Sequence, residues 1–527
     1  MKHRFGRTAV ASPSMAVAPS GAENAAGANN VTMRTLVWLI WTYFGLLLIE
    51  GALRKWVAPS LANPLLIIRD PVVVVIYALA FARGIFPWNR FVIALAIVGV
   101  LCLSASLVGP HSNLGVNLFG WRCNILHLPL IYVMGRVLDL NAIKHAGRWV
   151  LLLAIPMTVL MVWQFRSAPT AWLNAGAGVD AVQITLTGNK VRPSGTFSFV
   201  SGIIYFYALA AAFLVYGLVE KRTYPLWLTS AAALCVPMAL AVSGSRSTVA
   251  MVLIVVAMFI VALVLRPALL AKTLKLIGIV VALIFVAGSL AIFRTAFDEG
   301  IAAFAQRIKE TDHVEGGFEG FVYRFTSTFT RPLHIMFDVP VLGEGLGVGT
   351  NVGSKLLTGE MEFVLAEDEW ERVILESGGL LGGAYLLIRV LMALQLGAMA
   401  ARAARLGHFL PLLLFGACAV PIVAGQFGQS TTLGFACFVG GLCLASMHLP
   451  QRVAAAVVAA KKPAKKLPAK VLAWRAAVEA RRAGARGQRQ MGVILGNASP
   501  PGNEKISPVM HVDFQTGALG AARDRHT

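Results

Sequence analysis

Apolar runs long enough to cross a lipid bilayer, roughly 17–25 residues each, recur along almost the whole middle of this chain. By hydropathy they begin near Thr35, Leu65, Phe91, Asn124, Trp149, Thr196, Leu226, Ser247, Leu274, Val373, Phe409 and Thr431, the first ending near Leu53. The expected fold class is therefore all-α: a polytopic membrane protein of about twelve transmembrane helices with one large extracytoplasmic loop. The run from Asn124 to Val137 is short for a span. With 57% hydrophobic and 13% charged residues, the composition lies outside that of an ordinary soluble domain. Residues 1–33 are rich in Ala, Ser, Gly and Asn and lack a continuous apolar stretch, so they read as a disordered tail rather than a cleaved signal.

An even span count puts both termini on one side, and the positive-inside rule makes that side the cytoplasm. The inner loops then carry Arg83 and Arg90; Arg136, Lys144 and Arg148; Lys221 and Arg222; Arg266, Lys272 and Lys275; and Arg402 and Arg405. Spans one to nine fall within 34–292, the extracytoplasmic loop within 293–372, and the last three spans within 373–449. Residues 450–527 form a second basic tail through Lys461, Lys462, Lys465, Lys466, Arg481 and Arg482. Much of the formal charge of +21 thus faces anionic lipids at the inner surface, with no nucleic-acid partner indicated. The six cysteines lie in or beside spans and form no CxxC pair, which argues against a disulfide framework and a zinc site.

Some cations fall on the outer side. Glu50 and Arg54 stand one helical turn apart and can pair, and Arg69-Asp70-Pro71 brings its own adjacent counter-ion. Arg389 lies deeper in its span. Arg192, in Arg192-Pro193-Ser194-Gly195-Thr196-Phe197, and Arg246, in Ser243-Gly244-Ser245-Arg246-Ser247, have no acidic residue within several positions. A cation kept among small residues at a bilayer edge calls for an anion.

The outer segment is acidic. Its Phe321, Phe325, Phe329, Leu333 and Phe337 recur at helical spacing, suggesting an amphipathic helix against the spans or the lipid surface. The alternating glycines of Pro340–Gly349 fail the Walker pattern and read as a tight turn with close backbone approach. Arg324, Gly343, Gly345 and Gly347 are candidate substrate contacts, since exposed glycine amides can meet an anion. Glu367, Asp368, Glu369 and Glu371 crowd the start of the next span, and a carboxylate tuned by such crowding suits a general base. Helical spacing would place Glu367 and Glu371 on one face, with Asp368 and Glu369 turning away. A solvated acidic helix start is the plainer alternative.

These motifs resemble those of the O-antigen ligase and O-antigen polymerase superfamily. Arg192–Phe197 resembles its Arg-x-x-Gly-Thr-Phe signature, Ser243–Ser247 its second arginine motif, and Pro340–Gly347 its Pro-x-x-Gly-x-Gly-x-Gly loop. Glu376–Gly382 resembles the opening of the helix after its large periplasmic loop. Order and topology match across about 191–449. The resemblance implies a bacterial inner-membrane glycosyltransferase that takes glycan from undecaprenyl pyrophosphate and passes it to an acceptor glycan. Arg192 and Arg246 would bind the donor pyrophosphate, Glu367, Asp368 or Glu371 would act as base, and neither metal nor other cofactor would be needed. Ligases of the family carry a His, often His-Asn, where this chain has Glu367 and Asp368, and His313 and His334 lie too far upstream to replace it. That departure favours polymerisation of exopolysaccharide or O-antigen repeats over ligation to lipid A-core. A transporter and a non-catalytic export-complex component are the alternatives of other classes.

The sidedness has a direct check. A cysteine placed at Gly316 of a cysteine-free variant should react with an impermeant thiol reagent before the inner membrane is permeabilised. Labelling only afterwards would invert the topology.

Overall fold

We describe the chain from a computed structural model covering residues 20–461, apart from 179–180, 182, 187–189, 221–222, 271–272, 274–294, 296, 303–304, 307–316 and 360–364. Side chains at 20–31, 186, 317–319, 321–322, 324–325 and 448–461 also lie outside it. The span expected from Leu274, the position Gly316 and the basic tail beyond Lys461 are therefore outside the described residues.

Polar residues set the helix starts that hydropathy alone blurs. The Asn89 side chain accepts from the amides of Phe91 and Val92 at 2.9 and 3.1 Å, opening α3 (Arg90–Val108). Asp139 opens α6 (Leu140–Arg166) through the Ala142 amide, well before the expected start near Trp149. After α7 (Ser201–Val219) and α8 (Leu226–Ser243), Gly244 turns left-handed and Ser245 caps α9 (Arg246–Leu265). At the front, α1 runs Ser20–Ala52, extending into the segment expected to be disordered, where Ala-rich sequence favours helix. It ends in a π-helical turn, Leu53–Val57, and α2 (Asp70–Ala82) returns.

The run expected as a short span from Asn124 is not one continuous helix: α4 (Leu114–Trp121) is followed by a π-helical turn at Arg122–Leu126 and then by α5 (Leu130–Val137), each helix being only eight residues long. Asn124 sits in the turn. A two-residue antiparallel hairpin follows α6, with β1 (Thr185–Leu186) on β2 (Lys190–Val191). Between α9 and the last three helices lie α10 (Gly317–Ile335) and α11 (Asn351–Thr358); α12 (Glu369–Arg405), α13 (Leu410–Ala424) and α14 (Ser430–Lys461) complete the order among the described residues.

Among the described residues nine helices are long and apolar enough to cross a membrane. The architecture is all-α and polytopic. Large apolar side chains such as Trp38, Val100, Leu226 and Val264 point outward, as on a lipid-facing surface. The apolar stretch Ser430–Met447 of α14 is completely enclosed and forms the centre. Its glycines admit neighbours closely: Gly434 faces Arg69 and Leu47, and Gly441 faces Met134.

The alternating-glycine loop is a wedge. Gly347, at φ +83°, packs its backbone against Val116 and Gly120 of α4, leaving no room for a side chain. On the other side the loop meets a break in α12, where Gly378 adopts φ 77° and ψ 160° and lies against the Val341 carbonyl. That break splits α12 into a short limb, Glu369–Ser377, and a long one. In α10, Phe329 packs edge-on against Trp370 at 5.0 Å while Leu333 is exposed, and the helix ends at Ile335, before the exposed Phe337.

Gly378→Ala places a Cβ in backbone space that L residues avoid, at a cost of about 1–3 kcal/mol before any clash. Its melting temperature in detergent should fall well below that of Gly45→Ala, whose added methyl meets nothing within 4 Å. Equal melting would remove the strained hinge from the account.

Candidate functional site

Helix ends leave carbonyls without partners, and the end of α13 is met by an arginine inside the bundle. Arg389 of α12, fully buried, donates to the carbonyls of Ile422 and Gly425 at 2.8 and 2.9 Å, closing the end of α13. Its remaining nitrogen reaches Glu369 Oε1 at 2.7 Å. Residues twenty positions apart on one chain segment can meet only because α12 folds back at Gly378. Arg372 then binds Glu369 Oε2 at 3.0 Å, Glu376 Oε2 at 2.6 Å and Asn124 Oδ1 at 3.1 Å. The other Glu376 oxygen accepts the Gly349 amide at 3.0 Å.

A second limb begins two residues from Asn124. Arg122 holds Asp70 with two nitrogens, at 2.7 and 3.0 Å, and closes on the Leu66 carbonyl. His127 bridges Asp70, at 3.0 Å, to the Tyr43 hydroxyl, at 3.1 Å. Arg69 binds Tyr43, the Ser430 carbonyl at the start of α14, and Glu50 Oε2 at 3.1 Å. The expectation that Asp70 neutralises its neighbour Arg69 is corrected: Asp70 serves Arg122, and Glu50 serves Arg69. Glu50 also accepts from Ser430 Oγ at 2.7 Å and lies 3.6 Å from Arg54, the expected helical pair.

The third limb holds the Arg192 motif. Buried Lys55 donates to Ser194 Oγ at 2.9 Å and to the Gly195 carbonyl at 2.6 Å. Arg54 donates to Ser198 Oγ at 2.9 Å, and Thr196 Oγ1 to the Leu48 carbonyl at 2.8 Å. The Gln164 amide pairs with Gly195 on both sides. Motif residues 194–198 are thus clamped to the end of α1, while half-buried Arg192 stands at the rim. Arg246, also half-buried, is the first residue of α9. The stretches just before the two arginine motifs share a neighbour: Glu299 pairs with Lys190, two residues before Arg192, at 3.2 Å, and Gly300 lies against the α8 backbone at Ala241, two residues before Ser243.

The acidic candidates separate. Glu367 precedes α12, and Asp368 occupies its N-cap position, so the helical spacing that placed Glu367 and Glu371 on one face does not apply. Glu371 pairs with Arg331 of α10 at 3.5 Å. Glu367 and Asp368 are exposed, and Glu367 borders a small cavity of about 30 Å³ with Glu369, Arg372, Gln426 and Gln429. Gln426 fixes this stretch by donating to the Glu367 carbonyl at 2.7 Å. Glu369, expected to turn away, is the buried one, because Arg372 and Arg389 draw it inward.

The glycine candidates do not present free amides. Gly343 donates to the Pro340 carbonyl at 2.9 Å and Gly345 to the Glu376 carbonyl at 3.0 Å, while Gly347 is packed on α4. Arg324 belongs to α10, with its side chain outside the described part. Lys55, Arg122, His127, Arg372 and Glu376 were not singled out as site residues from sequence; Lys55, Arg122 and His127 find their partners far along the chain, and Arg372 and Glu376, neighbours on one helix, meet Asn124 and Gly349 only in the fold. The one available signal was an ionisable residue inside or beside an apolar run. No family model and no curated protein matches the chain, so the likeness drawn from the four motifs rests on the residues alone.

Removing one member of a buried ion pair strands its partner, at a typical cost of about 3–5 kcal/mol. Arg372→Ala, which leaves Glu369 and Glu376 facing each other, should therefore melt far lower than wild type in a detergent stability assay. Glu367→Gln should melt as wild type does. Reversal of that order would show that the buried cluster does not hold the bundle.

Proposed function

We propose that the chain is a polysaccharide polymerase of the bacterial inner membrane. It transfers glycan from undecaprenyl pyrophosphate to an acceptor sugar hydroxyl on the outer face. The observation that carries this reading is a continuous polar network. The Pro340–Gly347 loop packs on the Glu376–Gly378 break. Glu376 connects through Arg372, Asn124 and the Arg122–Asp70–His127–Tyr43–Arg69–Glu50 series to Arg54, which holds Ser198 beside the Arg192 motif. Lys55 and Arg54 hold the Arg192 segment, Glu299–Gly300 lies against Lys190 and Ala241, each two residues before an arginine motif, and Gln426 holds the Glu367 backbone.

The chemistry follows from the residue types. As the bond from the anomeric carbon to the donor phosphate breaks, its electron pair goes to the pyrophosphate. Arg192 and Arg246 stabilise that growing negative charge through charge-assisted hydrogen bonds. Glu367 accepts the proton of the acceptor hydroxyl, whose oxygen forms the new glycosidic bond. Asp368 and Glu371 are the neighbouring alternatives, Glu371 already engaged by Arg331.

One observation favours a second reading, a transporter. Helices broken at Arg122–Leu126 and Gly378 beside buried ionisable groups are how transporters build their sites. Here those groups bind one another in a closed set, which suits a fixed scaffold better than a site that must open to two sides.

Purified protein in proteoliposomes with a lipid-linked repeat unit tests the proposal by the length of polymer formed. Arg192→Lys keeps the charge but loses the planar fork, so transfer should fall by about a hundredfold or more. Glu367→Gln should abolish transfer while donor remains bound. Normal polymer from folded, inserted Arg192→Ala and Arg246→Ala proteins would refute the clamp; donor crossing the bilayer without polymerising would favour transport.

A further inference from the structure

At the end of the bundle opposite the polar network, two adjoining cavities open between α3, α5, α12 and α14. The larger, of about 920 Å³, lies along Phe91, Leu391, Leu394 and Met399, with Arg90 and Arg402 also among its lining residues. The smaller, of about 310 Å³, shares Arg90, Phe91, Gln395 and Met399 with it and adds Arg136 and Tyr132. Together they form a groove with apolar walls and three arginines. No Asp or Glu lines either cavity among the described residues. The larger volume lies in the range of ligand sites, roughly 300–1,000 Å³.

All three arginines are exposed to solvent, and two of them are oriented by local contacts. Arg90 lies over the Phe91 ring at 4.9 Å, and Arg136 donates one nitrogen to the Ile85 carbonyl at 3.2 Å. Both contacts hold a side chain in place without neutralising it. The nearby Asp139 is directed to the Ala142 amide as the cap of α6. Positive charge at the mouth of an apolar groove on membrane-crossing helices fits an amphiphile of the complementary form, with an anionic head and hydrocarbon tails.

The geometry points to a binding site for one anionic diacyl phospholipid, its phosphate held by Arg90, Arg136 and Arg402 and an acyl chain lying along Leu391 and Leu394. This site is separate from the proposed glycan-transfer end and does not depend on that reading. The committed occupant is a lipid, because a free anion would gain nothing from the apolar walls.

Native mass spectrometry of the full chain from mixed micelles tests it, with phosphatidylglycerol and phosphatidylcholine as competing probes and inorganic phosphate as a third. Phosphatidylglycerol should be retained about tenfold more tightly than phosphatidylcholine, equivalent to about 1.4 kcal/mol. Arg90→Ala combined with Arg402→Ala should erase that preference, whereas Arg148→Ala, outside the groove, should keep it. Ala398→Trp, which fills the larger cavity and leaves every charge in place, should also release the lipid. Equal retention of both lipids, equal loss in Arg148→Ala, or displacement by phosphate alone would overturn the site. So would an Ala398→Trp protein that keeps its lipid but loses self-association, since the groove would then be an interface between two copies of the chain.

Discussion

A guanidinium enclosed among apolar helices survives only if its charge and its hydrogen-bond donors are met, and this bundle is organised around meeting them. The pivotal case is Arg389. The fifteen residues of α13 span about 22 Å at 1.5 Å per residue, short of a hydrocarbon core of about 30 Å. Its carboxyl end therefore stops inside the protein, where open carbonyls need a donor. Arg389 supplies one and complements the helix dipole at the same time. Binding Glu369 with its other nitrogen requires the chain to double back, and Gly378 permits the turn.

From that point the constraint spreads. Glu369 recruits Arg372, Arg372 recruits Glu376 and Asn124, and Glu376 receives the amide of the wedge loop. Adjacent residues in the π-helical turn carry the network to Asp70, His127, Tyr43, Arg69 and Glu50. Four carboxylates (Glu50, Asp70, Glu369 and Glu376) face five arginines (Arg54, Arg69, Arg122, Arg372 and Arg389), with Lys55 beside them. The set is close to neutral and slightly cationic. Such a scaffold can fix the backbone beneath a rim without lending its own charges to a ligand.

The two ends of the bundle divide the work of positive charge. At one end, buried Arg54 and Lys55 bind motif 194–198 and leave Arg192 at the rim. At the other, Arg90, Arg136 and Arg402 line an apolar groove without a carboxylate among its described lining residues. The same side chain thus serves as an internal strut, a rim group or a groove group according to what its helix packs against.

Hydropathy by itself determined the all-α membrane architecture, because the length of an apolar run is a local property and a bilayer accepts little else. It also marked most helix positions to within a few residues, and the Glu50–Arg54 contact followed from helical spacing alone. The break at Arg122–Leu126 escaped it, since π-helical and α-helical turns use the same apolar residues. Only the tertiary structure decided which acid serves which arginine: Asp70 neighbours Arg69 in sequence yet pairs with Arg122, fifty-two positions away. It likewise buried Glu369 rather than Glu367, and turned the glycine loop into a wedge rather than an anion cradle. Pairing inside a low-dielectric bundle is chosen by distance in space, and folding brings distant charges together more closely than sequence neighbours whose side chains point apart.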